Sequence, residues 1–434
     1  MTANHPAPER TRPFGQGRRR RLTLLVLVTA TLVLGLLLAS TTGADPDGPT
    51  SAGQHGTPPP AANGEPVDQQ AGGADTAAEA RDGDGSDDPD RWATSPRTVA
   101  VSTQGGLPEG LAEDLATAPG VEHLTVVRGE TLGLIASRTG DGEVVDDLPE
   151  EWRFPVEVLA VEPDSYRQVL EVDEVATLGP DEALLSESSA AVRGLGPGGE
   201  LTFRDGTTLT VAAVLPDALL GAAEVLVTTD SPLPIDTERY LLARTRAPLD
   251  AEGRAELLAL AGPLSTLDLG GEVPVLRHAA SVMPPARLKV HFGEFAMTDG
   301  PGRWIHQGVT WLREYYAEET VPILGTTECH RDLFPPLRAA MQELVDRGLA
   351  HLVDGDDFGG CWAPRTQGSA ALSSHAWGIA VDLNVAGNHY GAEPTMPREV
   401  IEVMADHGFV WGGDWPVPDG MHFELVVDRD PPAP

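Results

Sequence analysis

Ser373-Ser374-His375-Ala376-Trp377-Gly378-Ile379-Ala380-Val381-Asp382-Leu383-Asn384 is the stretch around which this chain is organised. It sets an imidazole and a carboxylate seven residues apart, across a Gly-x-Ala that lets the backbone turn tightly. Ala380 to Asn384 then alternates in the manner of a strand. Further along, Asp419-Gly420-Met421-His422-Phe423-Glu424 opens a second alternating run, His422 to Val427. His375, Asp382 and His422 together form a three-ligand set, which leaves one corner of a zinc tetrahedron open. A lone His or Asp is more often structural, so the weight falls on a His-x6-Asp paired with a distant Asp-x-x-His.

The surrounding elements predict a unit over 285–434. Trp304 to Tyr316 carries apolar residues at helical spacing, and Val321-Pro322-Ile323-Leu324 reads as a buried strand. Pro336 to Leu349 and Pro397 to His407 read as helices, each with proline at its start and a glycine, Gly348 or Gly408, near its stop. The expected class is α+β, an antiparallel sheet with helices on one face.

Before it, residues 97–280 predict a small mixed α/β domain. Thr98 to Ser102, His123 to Val127, Val156 to Val161, Leu201 to Phe203, Leu209 to Val214, Val225 to Thr228 and Tyr240 to Arg244 are strand candidates. Arg204-Asp205-Gly206-Thr207 looks like a hairpin turn, and Leu111 to Ala118 and Ala251 to Ala261 look helical. No cluster of His, Cys or paired acids here has ligand spacing, and Glu171, Asp173 and Glu174 read as a solvated face.

Composition narrows the function. At 434 residues the chain exceeds one ordinary domain. A formal charge of −36 argues against nucleic acid, which needs a basic face. Two cysteines, Cys329 and Cys361, are too few for a thiolate zinc cluster; they are either a disulfide or two free thiols. Residues 1–21 form a basic tail. Leu22 to Ser40 is uncharged, apolar and long enough to cross a bilayer, which predicts a single-pass membrane helix with the bulk of the chain extracytoplasmic, on the cell-wall side. A cleaved signal peptide is the competing reading. Residues 41–96 are rich in Gly, Ala, Asp and Pro and read as a disordered linker.

Ser373-x-His375-x-x-Gly378-x-Ala380-x-Asp382 and Asp419-x-x-His422-Phe423 resemble the two signatures of the D-alanyl-D-alanine metallopeptidases, the VanY-like carboxypeptidases and related phage endolysins. The likeness runs from about Leu288 to the end and takes in Phe292-Gly293, Cys361-Trp362-Ala363-Pro364-Arg365 and Trp411-Gly412-Gly413-Asp414-Trp415. It implies a hedgehog-like fold and Zn2+ held by His375, Asp382 and His422. Asp419 would be the catalytic acid/base, where many relatives carry Glu. Arg331 would bind the substrate carbonyl or carboxylate and stabilise the oxyanion, and Ser373 would be a polar support able to reach substrate or ligand. Arg365 either meets a substrate carboxylate or pairs inside the fold, and Glu424 is either beside a ligand imidazole or a surface carboxylate. Trp377, Trp411 and Trp415 read as core or cleft wall, and His330 and His407 as ordinary. Residues 107–236 faintly resemble the extracytoplasmic domain of macrolide-exporter-type ABC permeases, which implies a module for a protein partner.

The resemblance thus implies a membrane-anchored zinc peptidase acting on peptidoglycan stem peptides, most simply a D-alanyl-D-alanine carboxypeptidase. An L-alanyl-D-glutamate endopeptidase on the same scaffold and a catalytically silent wall-binding or partner-binding protein are the alternatives.

Overall fold

A computed structural model of the chain describes residues 95–220, 223–270, 282–367 and 371–427. The expected basic tail, apolar segment 22–40 and most of the linker 41–96 lie outside these residues. The expected single-pass membrane placement is corrected here: among the described residues no helix is long and apolar enough to cross a membrane. The structure is mixed α/β with several sheets.

The middle region is one ten-stranded sheet. Six of its strands close on themselves: Val121–Arg138, Phe154–Val161, Val225–Thr228, Glu182–Ser186, Thr208–Leu215 and Glu200–Phe203, the last pairing back to the first. Closure removes free edges, which an open sheet must otherwise protect. The inside of the ring is filled by Leu134, Val156, Val158, Leu185, Leu201 and Val225 among others, all buried. Thr98–Thr103, Glu238–Thr245 and Ser265–Leu269 extend the sheet beyond the ring. Ala251–Ala261 is the helix its sequence predicts, capped by the Asp250 carboxylate accepting from Gly253 N–H.

The carboxy-terminal region has its own core around Phe334, Leu337, Met341, Val403, Met404 and Phe423. The Phe334–Asp346 and Arg398–Asp406 helices lay their apolar stripes on it. They pack with a three-stranded antiparallel sheet in which His422–Leu425 is central, between Ala380–Asp382 and Phe409–Trp411. Two sequence expectations change. The Trp304 to Tyr316 helix is replaced by a short strand, Ile305–Gln307, then a helix only over Val309–Tyr315, and Trp304 is half-exposed. Gly308, extended before the helix, breaks the two apart. Of the buried strand expected over 321–324, only Val321 is strand, ending Tyr316–Val321; residues 322–324 are the turn of its hairpin with Gly325–His330, with Ile323 in left-handed backbone at φ 68°.

Cys329 and Cys361 form a disulfide, Cα to Cα 5.4 Å. This settles the open alternative and ties the end of the hairpin to the loop that precedes Arg365.

Next to it, His330 is fully buried against Phe292, Trp311 and Tyr315, with ring centroids 5.1 to 6.0 Å away. Burial pushes its pKa from 6.5 down to about 4, with the Asp332 charge opposing. The unfolded chain therefore binds more protons between those two values, and stability falls as pH drops through that window, by about 3 kcal/mol from this group. Urea unfolding at pH 7 and pH 4 is expected to show that loss in the wild type and a smaller one in His330→Phe. Equal losses in the two proteins would refute it.

Candidate metal centre

Ser373 starts a short 3-10 turn over Ser374–Ala376, its hydroxyl accepting from the His375 N–H at 3.4 Å. His375 Nδ1 lies 2.7 Å from the Cys361 carbonyl oxygen. A carbonyl only accepts, so Nδ1 carries the proton and Nε2 turns a lone pair inward. Gly378 then reverses the chain at φ +66°; a Cβ there would stand 2.7 Å from the His330 nitrogen. Only glycine fits both the left-handed backbone and that close approach.

Past this turn the strand Ala380–Asp382 pairs antiparallel with His422–Leu425 in a register that sets Asp382 directly opposite His422. Directly opposed residues project to the same face, which places the two side chains together. The three donor atoms form a nearly equilateral triangle. His375 Nε2 to Asp382 Oδ1 is 3.2 Å, His375 Nε2 to His422 Nδ1 3.2 Å, and His422 Nδ1 to Asp382 Oδ1 3.3 Å. Ligands about 2.1 Å from a tetrahedral ion stand about 3.4 Å apart, so the triangle matches the edge of a zinc tetrahedron. All three residues are buried, and they could hold a metal ion.

The acids of the cluster favour positive charge at its centre. Burial pushes the Asp382 carboxyl up, but hydrogen bonds and charge from His375 and His422 outweigh it and hold the group well below the usual carboxylate range. Burial pulls His422 down, but hydrogen bonds to Asp382 and Glu424 raise it to about 9. Glu424, left open by the sequence, is buried, with Oε2 3.6 Å from His422 Nε2. Ser374 Oγ, 3.4 Å from the same nitrogen, is a neighbour that no spacing announced.

Asp419 sits one turn before His422, whose N–H donates to the Asp419 carbonyl at 3.1 Å. Its carboxyl is raised, mainly by burial and further by the Asp382 charge, while His422, His375 and Arg365 oppose the shift. Its Oδ1 is buried with no hydrogen-bond partner. A carboxyl shifted toward neutrality beside a metal-ligand cluster suits proton transfer.

The two arginines separate. Arg331 is exposed, its guanidinium donating to the Arg313 carbonyl at 3.4 Å. Arg365 is the guanidinium whose charge bears on Asp419, and its carbonyl accepts from Ser373 N–H at 3.2 Å. Ser373 is buried beneath His375 as a backbone support. Trp377 is core, donating to the Gly293 carbonyl and packing 4.9 Å from Phe295. Trp415 lies 5.3 Å from the His422 ring and Trp411 braces the Asp419 loop through Gly420 O. His407 pairs with Glu343, away from the cluster.

Fold and site bring together two imidazoles and one carboxylate that could hold a metal ion, with a further acid beside them. Residues 367–425, which contain that whole set, match a family model described as D-alanyl-D-alanine carboxypeptidase. The middle region is similar to solved permease domains. The periplasmic region of MacB from Actinobacillus actinomycetemcomitans shares 10% identity over 41% of this chain and 90% of its own, with a TM-score of 0.29. A domain of a permease protein from Porphyromonas gingivalis shares 17% over 41% and 89%, TM-score 0.26. The extracellular domain of the ABC-type transporter YknZ from Gram-positive bacteria shares 13% over 37% and 88%, TM-score 0.25. No curated protein matches the chain.

Proposed function

We propose that the chain is a zinc peptidase hydrolysing peptidoglycan stem peptides, most simply a D-alanyl-D-alanine carboxypeptidase, with 285–434 as the peptidase domain and 97–280 as an accessory domain. The observation that carries this reading is the triangle of His375, Asp382 and His422 with donor atoms 3.2 to 3.3 Å apart. The match of residues 367–425 supports the substrate class.

His375, Asp382 and His422 would hold the ion, which when bound supplies an activated water and polarises the scissile carbonyl. Asp419 would take the proton from the attacking water and deliver it to the leaving amine. A buried Oδ1 with no competing hydrogen bond leaves that atom free for the task. Arg365 is the better placed of the two guanidiniums to meet a substrate carboxylate, because its charge already reaches Asp419. Arg331 would then act only if substrate extends to the surface it occupies.

Incubating the purified full chain and zinc with defined muropeptides, and reading products by mass spectrometry, tests the assignment. Release of free D-alanine from pentapeptide stems is expected. Cleavage beside the sugar-linked alanine would replace the carboxypeptidase with an endopeptidase on the same scaffold, and intact substrate would sink both.

A further inference from the structure

We infer that Gln104, from the middle domain, is a positioning residue for the loop that carries Asp419; this rests on the peptidase reading above. Gln104 directly follows the Thr98–Thr103 strand. Its own N–H donates to the Leu264 carbonyl at 2.9 Å, and side-chain bonds between Thr103 and Ser265 and between Ser102 and Thr266 lock the neighbouring strands together. The backbone beneath the side chain is thereby fixed.

From that base the amide spans into the carboxy-terminal region. Its Oε1 accepts from the Val417 N–H at 3.1 Å, and its Nε2 donates to the Tyr390 hydroxyl. Val417 is flanked by Pro416 and Pro418, which have no N–H. It is therefore the sole backbone donor between Trp415 and Asp419, and that donor goes to Gln104. The second contact reaches the facing segment: Gly391, next to Tyr390, donates to the Pro418 carbonyl at 2.7 Å. One side-chain amide thus staples two segments, one of which leads directly into Asp419.

The consequence reaches Asp419 because its Oδ1 has no hydrogen bond of its own. What fixes that oxygen is the backbone of the loop, held by Asp419 N–H to Gly412 O, His422 N–H to Asp419 O, Gly391 N–H to Pro418 O, Trp411 to Gly420 O and Gln104. Releasing the restraint at Val417 shifts the base and leaves the metal ligands, which sit on strand and turn, in place. A misplaced base lowers kcat more than it raises KM.

Gln104→Ala and Gln104→Glu in the full chain test this. In Gln104→Ala, amide hydrogen exchange at Val417 is expected to accelerate about tenfold and kcat on a D-alanine-terminated muropeptide to fall about tenfold, the size of one hydrogen bond's loss. KM, bound zinc and the global unfolding midpoint should stay within about twofold or unshifted. Gln104→Glu keeps the acceptor and should keep Val417 protected. Unchanged exchange at Val417 in Gln104→Ala, or an unchanged kcat with faster exchange, overturns the inference. Should the wild type hydrolyse nothing, the peptidase reading fails while the exchange arm still decides the contact.

Discussion

Asp382→Ala will strip the metal and all hydrolysis from the chain, whereas Asp419→Asn will keep the metal and lose about 10²- to 10⁴-fold in kcat. The contrast follows from where the two carboxylates stand. Asp382 Oδ1 is a corner of the donor triangle, 3.2 Å from His375 Nε2 and 3.3 Å from His422 Nδ1. Without it two imidazoles remain, too few for a zinc site that keeps one position open. Asp419 is outside the triangle, and an amide in its place has nearly the same shape but no basic oxygen. Metal content by mass spectrometry and turnover on the same preparations separate the two roles. Zinc at about one per chain is expected in the wild type and in Asp419→Asn. Retained zinc in Asp382→Ala would remove that carboxylate from the centre, and retained turnover in Asp419→Asn would remove the proposed base.

Much of this site was legible in the sequence because its geometry is local. A glycine turn followed by a strand places His375 and Asp382, and the pairing of two alternating runs places His422 opposite Asp382. The support around it was not legible. The Cys361 carbonyl that orients His375 is a backbone atom, and no residue type announces it. The choice between Arg365 and Arg331 depends on which loop turns toward Asp419, a tertiary fact. The fold shows the same division. Ala251–Ala261 is bounded by its own cap, so its ends are written locally. Val121–Arg138 runs for 18 residues, yet only its first half looks like a strand. Gly129 and Gly133 interrupt the pattern there because the chain needs them: a Cβ at Gly129 would lie 2.5 Å from the Leu159 side chain, and one at Gly133 2.6 Å from Arg153. Close approach across a sheet selects glycine, and a reading by propensity takes the same glycine for a break. Likewise the apolar run 321–324 fits a strand end and a partly buried turn as well as a strand, since hydrophobicity reports burial and not direction.

Lys289→Met is expected to destabilise the protein by about 3–5 kcal/mol, although it exchanges a buried side chain for one of similar volume and greater hydrophobicity. Lys289 belongs to a buried quartet that joins the two regions. Its Nζ stands 2.7 Å from Glu224 and 3.1 Å from Glu294, and Arg193 Nη2 stands 2.7 Å from each of the same carboxylates. Arg193 and Glu224 come from the middle region, Lys289 and Glu294 from the helix and turn that begin the next. The four charges sum to zero, and each is almost fully shielded from water. For Arg193, burial alone would lower the pKa, but Glu294 and Glu224 overcome it and hold the guanidinium more firmly charged. Removing Lys289 takes one cation from beside Glu224 and Glu294 in a place water does not reach, so the cost is that of a broken buried ion pair rather than of lost packing. Restoring neutrality should recover much of it. Lys289→Met combined with Glu294→Gln leaves Arg193 and Glu224 as a single pair, and the double variant should be markedly more stable than the sum of the two single losses. Denaturant unfolding of the four proteins at pH 7 measures the coupling; additive losses would show that the quartet is four separate contacts. The expected coupling matters for the metal centre because Gly293, between Phe292 and Glu294, accepts the Trp377 indole N–H at 3.0 Å, two residues from His375. Loosening the quartet therefore loosens the wall behind His375, and zinc retention in Lys289→Met should weaken along with its stability.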